Sequence, residues 1–158
     1  MDLILWRHAE AVEAGPGMDD MSRVLTTQGE RDAGRMAEWL NRHLPQDTQV
    51  LVSPAVRTRQ TVQEVRRPTR VVDDLAPRKG AQMLLRASGW PHAGHPVVIV
   101  GHQPTLGMVL AHVVGGVPLA QAMPWRLPKA GLWWIRCEHP RHDRPGVVVL
   151  SVRTPDLA

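Results

Sequence analysis

The run Val97-Val98-Ile99-Val100 narrows the folds open to this chain more than any other stretch. Four consecutive β-branched residues leave neither face of a strand for water, so both faces must be covered. That is the condition of a central strand in a parallel sheet with helices above and below it. The run then breaks off at Gly101-His102. The chain opens in the same manner: Leu3-Ile4-Leu5-Trp6 is wholly apolar and gives way to Arg7-His8. A shorter run, Val50-Leu51-Val52, stops at Ser53-Pro54.

Between these runs the apolar residues change period. Ala33, Met36, Ala37, Leu40 and Leu44 recur at helical intervals, Thr27 and Glu30 have capping-box spacing ahead of them, and Pro45 ends the pattern. Ser53 is expected to cap a second helix over about 55–66, with Pro54 in its first turn. A short strand is predicted at 70–72, helices over about 80–87 and 105–114, and strands at 132–137 and 147–152 that can form an antiparallel ribbon around a polar loop. The stretch from Glu13 to Arg23 reads as loop. This order, β-α-β-α-β-α-β-α-β-β, predicts an α/β fold: a three-layer α/β/α sandwich with a mostly parallel central sheet, spanning residues 1–158 as one domain.

Composition narrows the functions. No segment approaches the ~20 apolar residues of a membrane span, and the first residues lack the basic and long apolar regions of a signal peptide. The single cysteine, Cys137, excludes an internal disulfide, and a reducing cytoplasm fits it. The formal net charge of +4 rests almost wholly on arginine, since Lys79 and Lys129 are the only lysines. Arginine is the better fork for phosphate, so an anionic ligand is expected. Nucleic acid is disfavoured: there is no block of like charges, and with no Phe or Tyr only six Trp could stack on bases. The H-x-x-H pairs His92/His95 and His139/His142 have no thiolates or carboxylates placed to complete a zinc site, so no metal or other cofactor is expected.

Arg7-His8 alone could be a solvated strand end. In a parallel sheet, however, the C-terminal tips of all three runs lie on one edge, where open α/β sheets bind ligands. Arg7, His8, Arg57 and His102 can therefore converge although distant in sequence. Arg57 and Arg59 also stand in the first turns of a helix, where cations oppose the macrodipole at a cost of ~0.3–1 kcal/mol each. A bound anion would reverse that sign.

The elements strand-Arg7-His8, Ser53-Pro54-x-x-Arg57-x-x-Gln60-Thr61 and strand-Gly101-His102, with Leu25-Thr26-Thr27-x-Gly29 before the first helix, resemble the histidine phosphatase superfamily, whose fold is phosphoglycerate-mutase-like. The likeness covers residues 1–114, and the short chain is similar to bacterial phosphohistidine phosphatases of the SixA type. The resemblance implies that His8 is the nucleophile, that Arg7, Arg57 and His102 form the phosphate pocket, and that Arg23 is a further phosphate contact. Two departures stand out. Ala9 occupies a position where the family commonly has Gly. The family's general acid has no unambiguous counterpart among Glu64, Asp73 and Asp74; Asp74, after a short strand, is the expected one.

These roles suit the residues chemically. Neutral imidazole offers a lone pair near pH 7 without a separate base, and phosphoryl transfer asks chiefly for positioning and positive charge. Arg57 and His102 lie only 45 positions apart, too few for a long cap over a small metabolite. An open site is expected, suited to phosphohistidine on a signalling protein such as a histidine-phosphotransfer domain, whose leaving imidazole is readily protonated by solvent. The chain is expected to act as a cytoplasmic monomer. The alternatives are a phosphatase of small phosphomonoesters or other phosphoproteins, and a basic module that binds phosphate without turning it over.

Overall fold

The computed structural model describes residues 1–138 and 146–158; the pair His139/His142 lies outside them. Six strands form one sheet in the order β3-β2-β4-β1-β5-β6. They are β1 (Asp2–Arg7), β2 (Gln49–Val52), β3 (Thr69–Val71), β4 (Val97–Gly101), β5 (Leu132–Glu138) and β6 (Gly146–Arg153). The first four run parallel, and β5 and β6 join antiparallel to their neighbours. As its β-branched run requires, β4 lies inside the sheet between β2 and β1, with every residue buried.

The helices are α1 (Thr27–His43), α2 (Val56–Thr61), α3 (Ala81–Ser88) and α4 (Thr105–Val113). Strand alternation sends Ile4, Trp6, Val98 and Val100 to one face, where they meet Met36 and Leu40 of α1. Leu3, Leu5, Val97 and Ile99 go to the other face, against Leu84 of α3 and Leu106 and Leu110 of α4. The predicted three-layer α/β/α arrangement is therefore present. No helix among the described residues is long and apolar enough to cross a membrane.

Two local predictions shift. The cap of α1 is Thr26, not Thr27: its hydroxyl accepts from Gly29 N at 3.0 Å. Its own Oγ1–H is spent on the Glu10 carboxylate at 2.8 Å, so the cap also ties α1 to the segment beyond β1. The second helix ends at Thr61 rather than near residue 66. Thr58 Oγ1 donates back to the Ser53 and Ala55 carbonyls, and Thr61 Oγ1 to the Arg57 carbonyl. Such back-bonding by β-branched residues weakens a helix whose apolar stripe is already sparse, and the chain continues as irregular turns.

The topology places the site. The connections after β1 and β2 lead to α1 and α2, which lie side by side, while β4 leads to α4 on the opposite face. Where neighbouring parallel strands send their connections to opposite faces, a crevice opens beyond their C-terminal ends. Here that crevice lies between the tips of β1, β2 and β4.

Candidate active site

Strand register brings the predicted residues together. Arg7 pairs with Gly101 across β1 and β4, His8 N donates to the Gly101 carbonyl at 3.2 Å, and Ser53 N donates to the Val100 carbonyl at 3.1 Å. The residues leaving the three strands, His8, Ser53 and His102, are thus locked side by side. His8 and His102 face each other with ring centroids 5.3 Å apart.

The segment after His8 is held from two sides. Ala9 N donates to Thr61 Oγ1 at 3.1 Å, and Thr26 N donates to the Glu10 carbonyl at 3.0 Å. Gly29 passes so close to this segment that a Cβ there would sit 2.0 Å from the Glu10 oxygen. Gln60 Oε1 accepts from Leu25 N at 2.7 Å. The Gln60-Thr61 pair and the Leu25-to-Gly29 stretch are therefore scaffolding that fixes the loop behind His8.

His8 Nδ1 lies 2.7 Å from the Ala9 carbonyl oxygen. A carbonyl only accepts, so Nδ1 carries the proton and Nε2 keeps the lone pair. Burial pushes the His8 pKa down to about 4; the Ala9 bond opposes this, and the charges of Arg57, Arg7 and Arg23 add to it. At neutral pH His8 is an uncharged imidazole with one free nitrogen, the form needed for attack.

Arg7 is held from β5's approach: its Nη1 donates to the Leu127 carbonyl at 2.8 Å, and its backbone N donates to the Gly131 carbonyl at 2.9 Å. Burial and the neighbouring Arg126 charge lower its pKa from the usual value, yet an arginine remains cationic. Arg57, at the start of α2, is only 4% exposed. Its Nη2 lies 3.3 Å from His102 Nδ1 and its Nη1 donates to the Asp20 carbonyl at 2.7 Å. The Nε–H groups of Arg7 and Arg57 are buried and have no hydrogen-bond partner among the described residues. A buried guanidinium donor without a partner is costly.

His102 is held by Ser53 rather than left to solvent. Its Nε2 lies 2.7 Å from Ser53 Oγ, which also accepts from Ala55 N at 3.3 Å. Ser53 was expected to cap α2; that helix begins at Val56 after Ala55 with no side-chain cap, and the hydroxyl positions a histidine instead. With Arg57 donating to Nδ1, the consistent tautomer has Nε2–H donating to Ser53 Oγ. Burial first, then the charges of Arg57 and His8, push the His102 pKa down to about 3, with the Asp20 carboxylate opposing them.

Arg23 donates from Nε to the Val12 carbonyl at 2.7 Å and from Nη1 to Asp20 Oδ1 at 3.0 Å. Asp74 and His102 line one small cavity, together with Leu75, Ala76, Leu84, Gly101 and Thr105. Glu64 instead lines a surface groove beside α1 with Gly34 and Gln63. His8 and His102 are 7% and 5% exposed. Sequence reasoning missed Asp20, which covers Arg57. It lies in a polar loop with no periodicity, and no local signal connects it to an arginine 37 residues further on.

The family model of the histidine phosphatase superfamily (branch 1) matches residues 3–83. An uncharacterized protein of Picosynechococcus is 33% identical over 114 residues, covering 68% of this chain and 69% of that protein. An uncharacterized protein of Mycobacterium tuberculosis is 29% identical over 151 residues, covering 91% of this chain and 95% of that protein. Among solved structures, the Agrobacterium tumefaciens protein that carries the phosphohistidine phosphatase name SixA superposes with a TM-score of 0.78 at 26% identity, over 98% of this chain and 97% of that one.

Proposed function

We propose, from the premise that this chain belongs to the histidine phosphatase superfamily, that it is a phosphatase working through a covalent intermediate on His8. The observation that carries the proposal is the 2.7 Å contact of His8 Nδ1 with the Ala9 carbonyl. It leaves Nε2 unprotonated in a site walled by Arg7, Arg57 and His102. The lone pair on Nε2 attacks phosphorus as the bond to the leaving group breaks, and the leaving group departs with the electron pair and takes up a proton. The phosphorylated His8 is then an imidazolium, whose Nδ1–H keeps the Ala9 carbonyl as its acceptor. Water attacks the same phosphorus on the second step, the N–P bond breaks, and inorganic phosphate and neutral His8 are restored.

Arg7 and Arg57 neutralise the equatorial oxygens through charge-assisted hydrogen bonds. A bound dianion also favours protonation of His102, whose Nδ1–H would then donate to a phosphoryl oxygen as Arg57 Nη2 turns from Nδ1 to the same anion, while Nε2–H stays on Ser53. Asp74 is the proposed proton donor to the leaving group, supported by its place in the small cavity beside His102. Leaving groups that solvent protonates readily depend on it least.

The proposed substrate is phosphohistidine on a partner protein. The similarity to the Agrobacterium SixA structure supports it, and so does the rim of the site. The segment that supplies the Leu127 carbonyl to Arg7 also carries the exposed Arg126, whose charge acts on Arg7. An exposed cation beside a phosphate pocket can take a further contact from a protein surface, which a small ester does not offer. The decisive experiment is to incubate the protein with a phosphoramidate donor and to compare turnover of a phosphohistidine protein with sugar phosphates and nucleotides. An acid-labile, alkali-stable adduct that is lost in His8→Ala is expected, with the phosphohistidine protein turned over fastest. Faster turnover of the small esters would favour the alternative substrate class, and no adduct would overturn the enzyme in favour of a phosphate-binding module.

A further inference from the structure

The anion site is already occupied by an anion of the chain's own. Asp20 sits on a single 3-10 turn, Asp20–Ser22, in the loop between β1 and α1. One of its carboxylate oxygens, Oδ2, accepts from Arg57 Nη2 at 3.1 Å, and the other, Oδ1, accepts from Arg23 Nη1 at 3.0 Å. Its backbone carbonyl takes Arg57 Nη1 as well, at 2.7 Å. A single carboxylate thus spans the two arginines with one oxygen on each, as two oxygens of a phosphoryl group would. Burial alone would raise the Asp20 pKa, but the hydrogen bonds and charges of Arg23 and Arg57 hold it below the usual value. It is therefore an anion at neutral pH.

The burial of the partners is unequal. The Arg57 side chain is 4% exposed, whereas that of Asp20 is 51% exposed. Arg57 stays where it is, buried and held by the Asp20 backbone carbonyl whatever the carboxylate does. The Asp20 carboxylate can leave, because rotation about the side-chain bonds carries it into water. The Nη2 that Asp20 holds is also the one that reaches His102 Nδ1, so it points to where His8 and His102 face each other.

We propose that Asp20 is an internal competitor for the phosphoryl site. It satisfies Arg57 and Arg23 in the resting protein and gives them up only to an anion that outbids it. The proposal rests on the identification of Arg57 as a phosphate ligand made above. Its consequence is specificity. Inorganic phosphate, the product, has only its own charge with which to displace Asp20, so it binds weakly and leaves readily. A phosphorylated protein brings further contacts at the rim and is not held to that limit.

An anion that displaces the Asp20 carboxylate must replace its charge-assisted hydrogen bonds to Arg57 and Arg23, and giving up one such bond weakens the net binding by about tenfold. The test is calorimetric titration of inorganic phosphate and of tungstate into the full chain, as wild type, Asp20→Asn and Asp20→Ala. Asparagine keeps the shape and an acceptor oxygen while removing the charge; alanine removes the contact altogether. Both variants are expected to bind phosphate about tenfold more tightly than wild type, with stronger product inhibition and a lower KM for p-nitrophenyl phosphate. Unchanged or weaker affinity in both variants would overturn the proposal and make Asp20 a brace for Arg57 instead. If wild type turns over p-nitrophenyl phosphate and the affinities do not move, the Asp20 inference alone falls. If no form binds either anion and none shows turnover, the phosphate site itself falls with it.

Discussion

The histidine pair should make this protein markedly less stable in mild acid. His8 and His102 are buried as neutral imidazoles, with pKa values pushed down to about 4 and about 3, whereas in the unfolded chain both titrate near 6.5. Below pH 6.5 the unfolded state binds protons that the folded state refuses, so stability falls with pH until the folded values are reached. At pH 7.5 neither form is appreciably protonated and the pair costs nothing. At pH 5 each histidine costs about 2 kcal/mol, so the two together remove about 4 kcal/mol, a large share of a typical domain's 5–15 kcal/mol. Asp2 and Asp20, whose pKa values are lowered from 3.8, keep their charge throughout that window and do not mask the effect.

Urea denaturation at half-unit steps from pH 7.5 to 5 measures the slope directly. His102→Gln should reduce the loss to roughly half, because one buried proton refusal has been removed. Saturating phosphate should also flatten the profile, since an anion between the arginines lets His102 accept a proton in the folded state. Parallel wild-type and His102→Gln profiles would refute the assignment of His102 as a buried neutral base.

Other perturbations follow from the geometry. Gly29→Ala puts a methyl 2.0 Å from the Glu10 carbonyl oxygen, and it should cost at least ~2 kcal/mol in denaturant titrations while lowering activity through the loop behind His8. Ser53→Ala leaves His102 Nε2 and Ala55 N without their shared acceptor in a fully buried position. Stability should fall by ~1–3 kcal/mol. Its kcat should drop more than its KM rises, and the acid limb of its pH profile should move because the tautomer of His102 is no longer set. An unchanged pH profile would show that Ser53 does not control His102.

What was legible in the sequence was whatever rests on short-range pattern. A β-branched run must be buried on both sides, so Val97–Val100 declared a central strand. The helical recurrence from Ala33 to Leu44 declared α1, and the strand-end positions of Arg7, His8 and His102 declared that the three meet at one edge of the sheet. Those inferences need only periodicity and the fixed polarity of a parallel sheet. Even the expected short third strand and the antiparallel pair at the end appear in the structure.

What only the tertiary structure decided is how side chains distant in sequence divide the work. The hydroxyl of Ser53 could cap a helix or hold a ring, and it became a histidine support because β2 and β4 lie in register, bringing His102 within 2.7 Å. The tautomer of His8 depends on one carbonyl, that of Ala9, whose direction is set by Thr61 and by the close passage of Gly29. Asp20 gained its two arginines through a loop without periodic pattern, folded over the site by contacts 3 and 37 residues away. Sequence pattern reports which face of an element is apolar. It does not report which polar atom meets which, because a hydrogen bond needs ångström-scale placement that the packing of the two cores alone supplies.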